Sequence, residues 1–184
     1  CDWSSDVCSS DLGNFIAFSI AALINLPGNA LGSASTIITG RRLGNGQIAQ
    51  AEIQLRHVFW LSTIGLTAIA WLTAPFAGVM ASFYTHDQDV KEVIVILIWL
   101  NAAFMPIWAA SWVLPAGFKG ARDARFAMWV SMLGMWGCRV VAGYTLGIVL
   151  GWGVVGVWLG MFFDWAVRAA LFYWRMVTGR WLWK

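Results

Sequence analysis

The stretch VIVILIWLNAAFMPIWAASWVLPAG, residues 93–117, decides how the rest of the chain is read. It contains no charged side chain and exceeds the roughly 20 residues that carry a helix across a hydrocarbon core of about 30 Å. Four further stretches, at residues 15–40, 58–84, 126–150 and 154–177, are equally long and nearly free of charge. Helices are the expected form, because in lipid every backbone N–H and C=O must be satisfied within its own segment. A strand barrel would show short alternating runs instead. The chain is 60% hydrophobic and 11% charged, with 14 Trp and 11 Phe and a mean hydropathy of +0.69. Soluble domains carry about 25% charged residues, so the fold class expected is an all-α integral membrane protein with five transmembrane helices.

The net charge of +3 conceals a bias in where the basic residues sit. The connection at residues 41–57 holds Arg41, Arg42 and Arg56, whereas residues 85–92 hold only Lys91 among acids. The next connection carries Lys119, Arg122 and Arg125, the GWG turn at Gly151 carries none, and the tail carries Arg180 and Lys184 beside Arg175. The positive-inside rule puts the basic ends in the cytoplasm. The first helix then starts outside and the C-terminus ends inside a multi-pass arrangement in the cell (inner) membrane, with at least one earlier helix expected upstream.

Residues 1–12, CDWSSDVCSSDL, share nothing with the rest of the chain. They have neither the basic nor the apolar region of a signal peptide, and Cys1, Cys8 and three aspartates lack the His and the ligand spacing of a metal site. They match, in one reading frame, the translation of a sequencing-library adapter. Protein is therefore expected from Gly13 onward. Without the first twelve residues the net charge rises to +6 and Cys138 is the remaining cysteine, so cysteine usage carries no redox argument.

Pro27, Pro75, Pro106 and Pro115 each remove an i to i−4 hydrogen bond and are expected to kink their helices. Asn101 and Ser111, on either side of Pro106, are candidate cleft-lining polar residues at mid-membrane depth; they would equally serve to hydrogen-bond a neighbouring helix. The strongest physical signal is charge inside the last two spans: Arg139, Asp164 and Arg168 would each cost about 2.5–3.5 kcal/mol at the membrane centre if unpaired. Those spans form an antiparallel hairpin about Trp152, so Arg139 and Asp164 fall at one depth, as do Gly143 with Gly160 and Gly147 with Gly156. Steps of four place the glycines on facing stripes that let the helices approach closely. The expected arrangement is a glycine seam with Arg139 paired to Asp164 and Arg168 one turn further on. A carboxylate between two guanidinium groups suits a fixed strut better than a proton carrier.

His57 and His86 are expected in loops without metal-ligand company, and no nucleophile–base pair, phosphate-binding loop or nucleic-acid patch is legible. No enzyme activity, metal site or cofactor is expected.

The segments GNALGSASTIITGRRLGNGQIAQA, GFKGARDARFAMWVSMLGMWGCRVVAGYTLG and GVWLGMFFDWAVRAALFYWRMVTGRW together resemble the second half of a multidrug and toxic compound extrusion (MATE) transporter. The resemblance rests on Gly32, Ser33, Thr36, Gly40, Gly44 and Gly46 at a glycine-rich helix end, and on Lys119, Gly120, Asp123 and Arg125 in the later basic loop. It continues through Gly156, Val157, Trp158, Gly160, Asp164, Trp165, Arg168 and Ala169. Arg122, Ala124 and Ala127 replace a glycine, a threonine and a proline usual in that loop.

The resemblance implies twelve helices in two lobes, of which residues 13–184 would be helices eight to twelve, part of the C-terminal lobe. It also implies antiport, in which inward sodium or proton movement drives export of bulky, often cationic organic compounds. The partners implied are small organic substrates, the lipid bilayer and an N-terminal lobe of the same chain, with no nucleic acid. Some members hold their coupling cation on acids of the seventh and tenth helices; residues 93–117 contain no acid, so that site does not carry over. A lipid-linked oligosaccharide flippase of the same superfamily and a non-transporting membrane scaffold are the alternatives, and the sequence upstream would separate them.

Overall fold

The computed structural model describes residues 5–182, with side chains described from Asp11 onward. Residues 1–4 of the suspected adapter lie outside the described residues, and the remainder of that segment continues the first helix without a break.

Five helices are long and apolar enough to cross a membrane. They are α1 (Ser5–Gly44), α2 (Ile48–Ser82), α3 (Gln88–Gly120), α4 (Ala124–Val149) and α5 (Gly153–Val177). The connections are short, so successive helices run antiparallel and form an up-and-down bundle. Asp87 caps α3 by accepting a hydrogen bond from the Asp89 N–H at 3.1 Å. Gly151 and Gly153 take φ of +70° and +56° to turn the chain from α4 into α5, a left-handed conformation that glycine adopts at no steric cost.

α3 is the centre of the bundle. α1, α2 and α5 pack against it, while α4 lies outside and leans chiefly on α5. One apolar core joins Ile20, Leu66, Ile94, Leu97, Met105 and Phe162; a second, at the end of the molecule where α3 and α5 finish, joins Leu55, Leu114, Phe118, Phe172 and Trp181. Gly40 and Gly120 bring α1 and α3 into near contact: a Cβ on Gly120 would stand 2.3 Å from the Thr36 carbonyl oxygen. Beside that crossing Thr36 Oγ1 donates to the Ala116 carbonyl at 2.8 Å, a polar tie between helices that have no hydrophobic drive to associate in lipid. Large apolar side chains such as Leu61, Leu72, Trp136 and Ile148 point outward, as a lipid-facing surface requires.

Three features differ from the sequence reading. α2 starts at Ile48 rather than residue 58, so His57 lies inside a helix and not in a loop. The added turns, IAQAEIQLR, are amphipathic rather than apolar, and Glu52 and Arg56 pair one turn apart at 3.8 Å. Among the four prolines only Pro75 interrupts the α-helical pattern, in a 3₁₀ turn at Ala74–Phe76; Pro27, Pro106 and Pro115 sit within continuous helix. Finally, α4 is not a plain α-helix. It contains two π-helical stretches, Gly134–Val140 and Thr145–Val149, whose i to i+5 bonds put more residues into each turn.

Candidate functional site

The glycine seam between α4 and α5 forms at the expected registers. A Cβ on Gly160 would stand 2.5 Å from the Gly143 nitrogen, and one on Gly156 would stand 2.9 Å from the Gly147 Cα. The backbones therefore touch at both pairs.

Below that seam the charges pair otherwise than expected. Asp164 is fully buried and accepts from Arg168 Nη2 at 2.5 Å, one turn along its own helix. Arg139 instead donates from Nη2 to the Met161 sulfur at 3.3 Å. The π-helical stretch Gly134–Val140 supplies the reason: its wider turns carry the buried stripe from Gly143 through half-buried Cys138, five residues away, to buried Gly134. Arg139 is left on the exposed side of that stripe. Gly134 then occupies the place facing the ion pair, where a Cβ would meet Asp164 Oδ1 at 2.3 Å. Asp164 Oδ1 and Arg168 Nε have no hydrogen-bond partner among the described residues.

Next to this ion pair, two cavities adjoin along α1, α3 and α5, with Ser131 of α4 at the polar one. A polar one of about 330 Å³ is lined by Ser33, Thr36, Ser111, Lys119, Ser131 and Arg168. An aromatic one of about 240 Å³ is lined by Asn25, Asn101, Trp108, Trp158, Met161 and Trp165. Asn29 and Trp112 border both, so the two lie side by side as the unlike halves of one surface region, called the groove below. The indoles of Trp108 and Trp112 stack with centroids 5.7 Å apart and planes 10° from parallel, and Trp165 meets Trp108 edge-on at 6.5 Å. Trp112 is the exposed face of this cluster, with Trp108 and Trp165 buried behind it. Trp158 Nε1 is anchored by donating to Asn14 Oδ1 at 2.8 Å.

Asn101 and Ser111 both reach the groove, in different halves. Asn101 is buried at the aromatic end, and Ser111, at the polar end, donates to the Trp108 carbonyl at 3.0 Å. Residue-by-residue reading misses the tryptophan stack and the part played by Lys119 and Arg168 in the polar half. It also misses a second buried ion pair, Asp123 with Arg175 at 2.8 Å. Among the described residues no group of three or more His, Cys, Asp or Glu could hold a metal ion.

Five apolar helices long enough to cross a membrane, two of them packed through a glycine seam, define a class, that of all-α multi-helix membrane proteins. The family model MatE matches residues 13–145, and the chain belongs to that family. It is 27% identical to the uncharacterized transporter YisQ of Bacillus subtilis (strain 168), over 90% of this chain and 36% of that protein. It is 24% identical to the probable multidrug resistance protein NorM of Mannheimia succiniciproducens, over 88% of this chain and 36% of NorM. The probable NorM of Brucella suis biovar 1 is 28% identical, over 79% of this chain and 32% of its own. The chain thus spans about a third of the length of these relatives.

Proposed function

We propose that this chain forms most of the C-terminal lobe of a secondary antiporter that exports bulky organic compounds, with inward sodium or proton movement as the driving force. The observation that carries this reading is the groove along α1, α3 and α5, which offers the exposed Trp112 indole for a flat organic body and polar groups to orient it. The names of the NorM relatives point the same way. On this reading the five helices are the eighth to twelfth of a twelve-helix, two-lobe protein, and the companion lobe supplies the other wall and the coupling site. The lobe sits in the cell membrane with its basic end, Arg41, Arg42, Lys119 and Arg125, toward the cytoplasm. It performs no covalent chemistry. Residues 1–12 are taken as translated adapter, to be checked by whether raw sequencing reads carry through those codons.

The test is transport by the complete protein. Everted membrane vesicles from cells expressing the full-length gene should accumulate a fluorescent organic compound when a sodium or proton gradient is imposed, and collapse of that gradient should stop uptake. Residues 13–184 alone should not transport. Gradient-driven uptake by that fragment in liposomes would overturn the two-lobe reading, and failure of the full-length protein with every gradient would overturn export.

A further inference from the structure

We infer that the crevice between the end of α3 and one face of α4 binds a phospholipid with an anionic headgroup, in the cytoplasmic leaflet. This cavity, of about 480 Å³, meets the polar half of the groove at Lys119 and Ser131 and otherwise lies along α4. Lys119, in the last turn of α3, and Arg125, in the first turn of α4, stand at one end of it. Both are exposed, and among the described residues neither has an ion-pair partner. No acidic side chain lines the cavity, and Asp123, between the two cations in sequence, is buried against Arg175. Beyond the cations Met128, Met132, Met135 and Trp136 line an exposed apolar strip.

Arg125, Met128, Met132 and Met135 recur at steps of three and four, so they share one face of α4. From Arg125 to Met135 that face rises about 15 Å at about 1.5 Å per residue, which is one leaflet of a hydrocarbon core about 30 Å thick. The order along it is that of a lipid, with charge at the membrane surface and then a leaflet's depth of hydrocarbon. Two cations with no carboxylate beside them give a phosphate charge-assisted donors and repel the ammonium of a zwitterionic headgroup. Basic pockets between helices at the cytoplasmic surface suit anionic lipids for this reason, and flexible thioethers adapt to an acyl chain. A soluble phosphate would engage the cations and leave the methionine strip bare. The choice of leaflet rests on the proposed orientation; the binding needs only a bilayer, so its test stands apart from transport.

The full 184-residue chain in phosphatidylcholine nanodiscs would be photolabelled with phosphatidylglycerol or phosphatidylcholine bearing the same diazirine-carrying acyl chain. Labelled peptides would then be mapped by mass spectrometry. Residues 125–136 should take about tenfold more label from phosphatidylglycerol than from phosphatidylcholine. Lys119→Gln with Arg125→Gln should bring the two lipids level there, while Lys119→Arg with Arg125→Lys should keep most of the preference. Unchanged phosphatidylcholine labelling of the other spans shows that the variants fold. Arg41→Gln with Arg42→Gln removes as much charge from the same end of the bundle and should leave the preference intact. Equal labelling of residues 125–136 by both lipids would overturn the inference. So would an equal loss in the Arg41 and Arg42 variant, which would assign the preference to diffuse surface charge. Abolition of the preference by millimolar glycerol 3-phosphate would overturn it in favour of a soluble phosphate. Absence of label from residues 125–136 in the full-length protein would overturn it in favour of cover by another part of that protein.

Discussion

Asp123 and Arg175 clasp the turn between α3 and α4 to the last turn of α5. Arg175 donates from both Nε and Nη2 to Asp123 Oδ2, at 3.0 and 2.8 Å, while its guanidinium lies 4.4 Å from the centre of the Phe126 ring. Asp123 is buried and the Arg175 side chain only 12% exposed. Removing one member of such a pair leaves a buried charge uncompensated. Asp123→Ala should therefore lower stability by about 3–5 kcal/mol, read as a fall in the thermal midpoint of detergent-solubilised protein. Arg175→Lys should recover only part of it, because a single ammonium cannot reproduce two guanidinium donors and the ring contact.

The residue just before that clasp is strained. Arg122 is exposed and holds φ at +65°, a conformation that costs a non-glycine residue roughly 1–2 kcal/mol. Arg122→Gly should raise the thermal midpoint, by about 1 kcal/mol of stability at most, since glycine adds chain entropy to the unfolded state. Arg122→Ala should not reproduce the gain, which separates backbone relief from loss of charge.

The α4–α5 seam should tolerate no added carbon at its contacts. Gly160→Ala drives a Cβ into the Gly143 backbone and should destabilise the hairpin by about 1–3 kcal/mol, the usual range for overpacking. Gly137, on the same α4, has nothing within 4 Å of an added Cβ. Gly137→Ala should be neutral or stabilising by up to about 1 kcal/mol through helix propensity. Cysteine crosslinking between α4 and α5, or thermal unfolding followed by size-exclusion chromatography, would report both.

Asp164 and Arg168 act as a strut if their role is to remain paired. Asp164→Asn in the full-length protein should then reduce the amount of folded protein, because Arg168 loses its anionic partner inside the membrane. Joint replacement of Asp164 and Arg168 by leucine should restore folded protein relative to Asp164→Leu alone. Normal abundance of Asp164→Asn with transport lost would assign the pair to coupling instead.

A reporter that fluoresces only in the cytoplasm, fused after Lys184, should be bright, since the basic ends of α1, α3 and α5 set the orientation. A dark, fully expressed fusion would invert the topology.

The five spans are legible in the sequence because apolar run length is a one-dimensional property, and a lipid-crossing helix has little freedom to be anything else. The Gly143–Gly160 and Gly147–Gly156 contacts are legible for a related reason: a tight turn at Trp152 fixes which residues share a depth. The partner of Arg139 is not, because that depth argument assumes 3.6 residues per turn, and nothing in GMWGCRV announces the π-helical stretch at Gly134–Val140. The start of α2 is hidden because its first turns are too polar to read as an apolar run and dock on the bundle through Ala51 and Leu55, both buried. The groove itself gathers Asn29, Trp112 and Arg168 from three helices, and such convergence exists only once the bundle is assembled.

The two π-helical stretches leave α4 with surplus residues wound into its turns. Returning one such stretch to α-geometry would rotate everything beyond it by about 100°, the angle of one residue on an α-helix. The seam at Gly147 and Gly143 could stay fixed while the segment below it swivelled, moving Arg139 off Met161 and toward the face held by Gly134. The winding of α4 thereby decides which of its residues, Gly134 or Arg139, faces the Asp164–Arg168 pair.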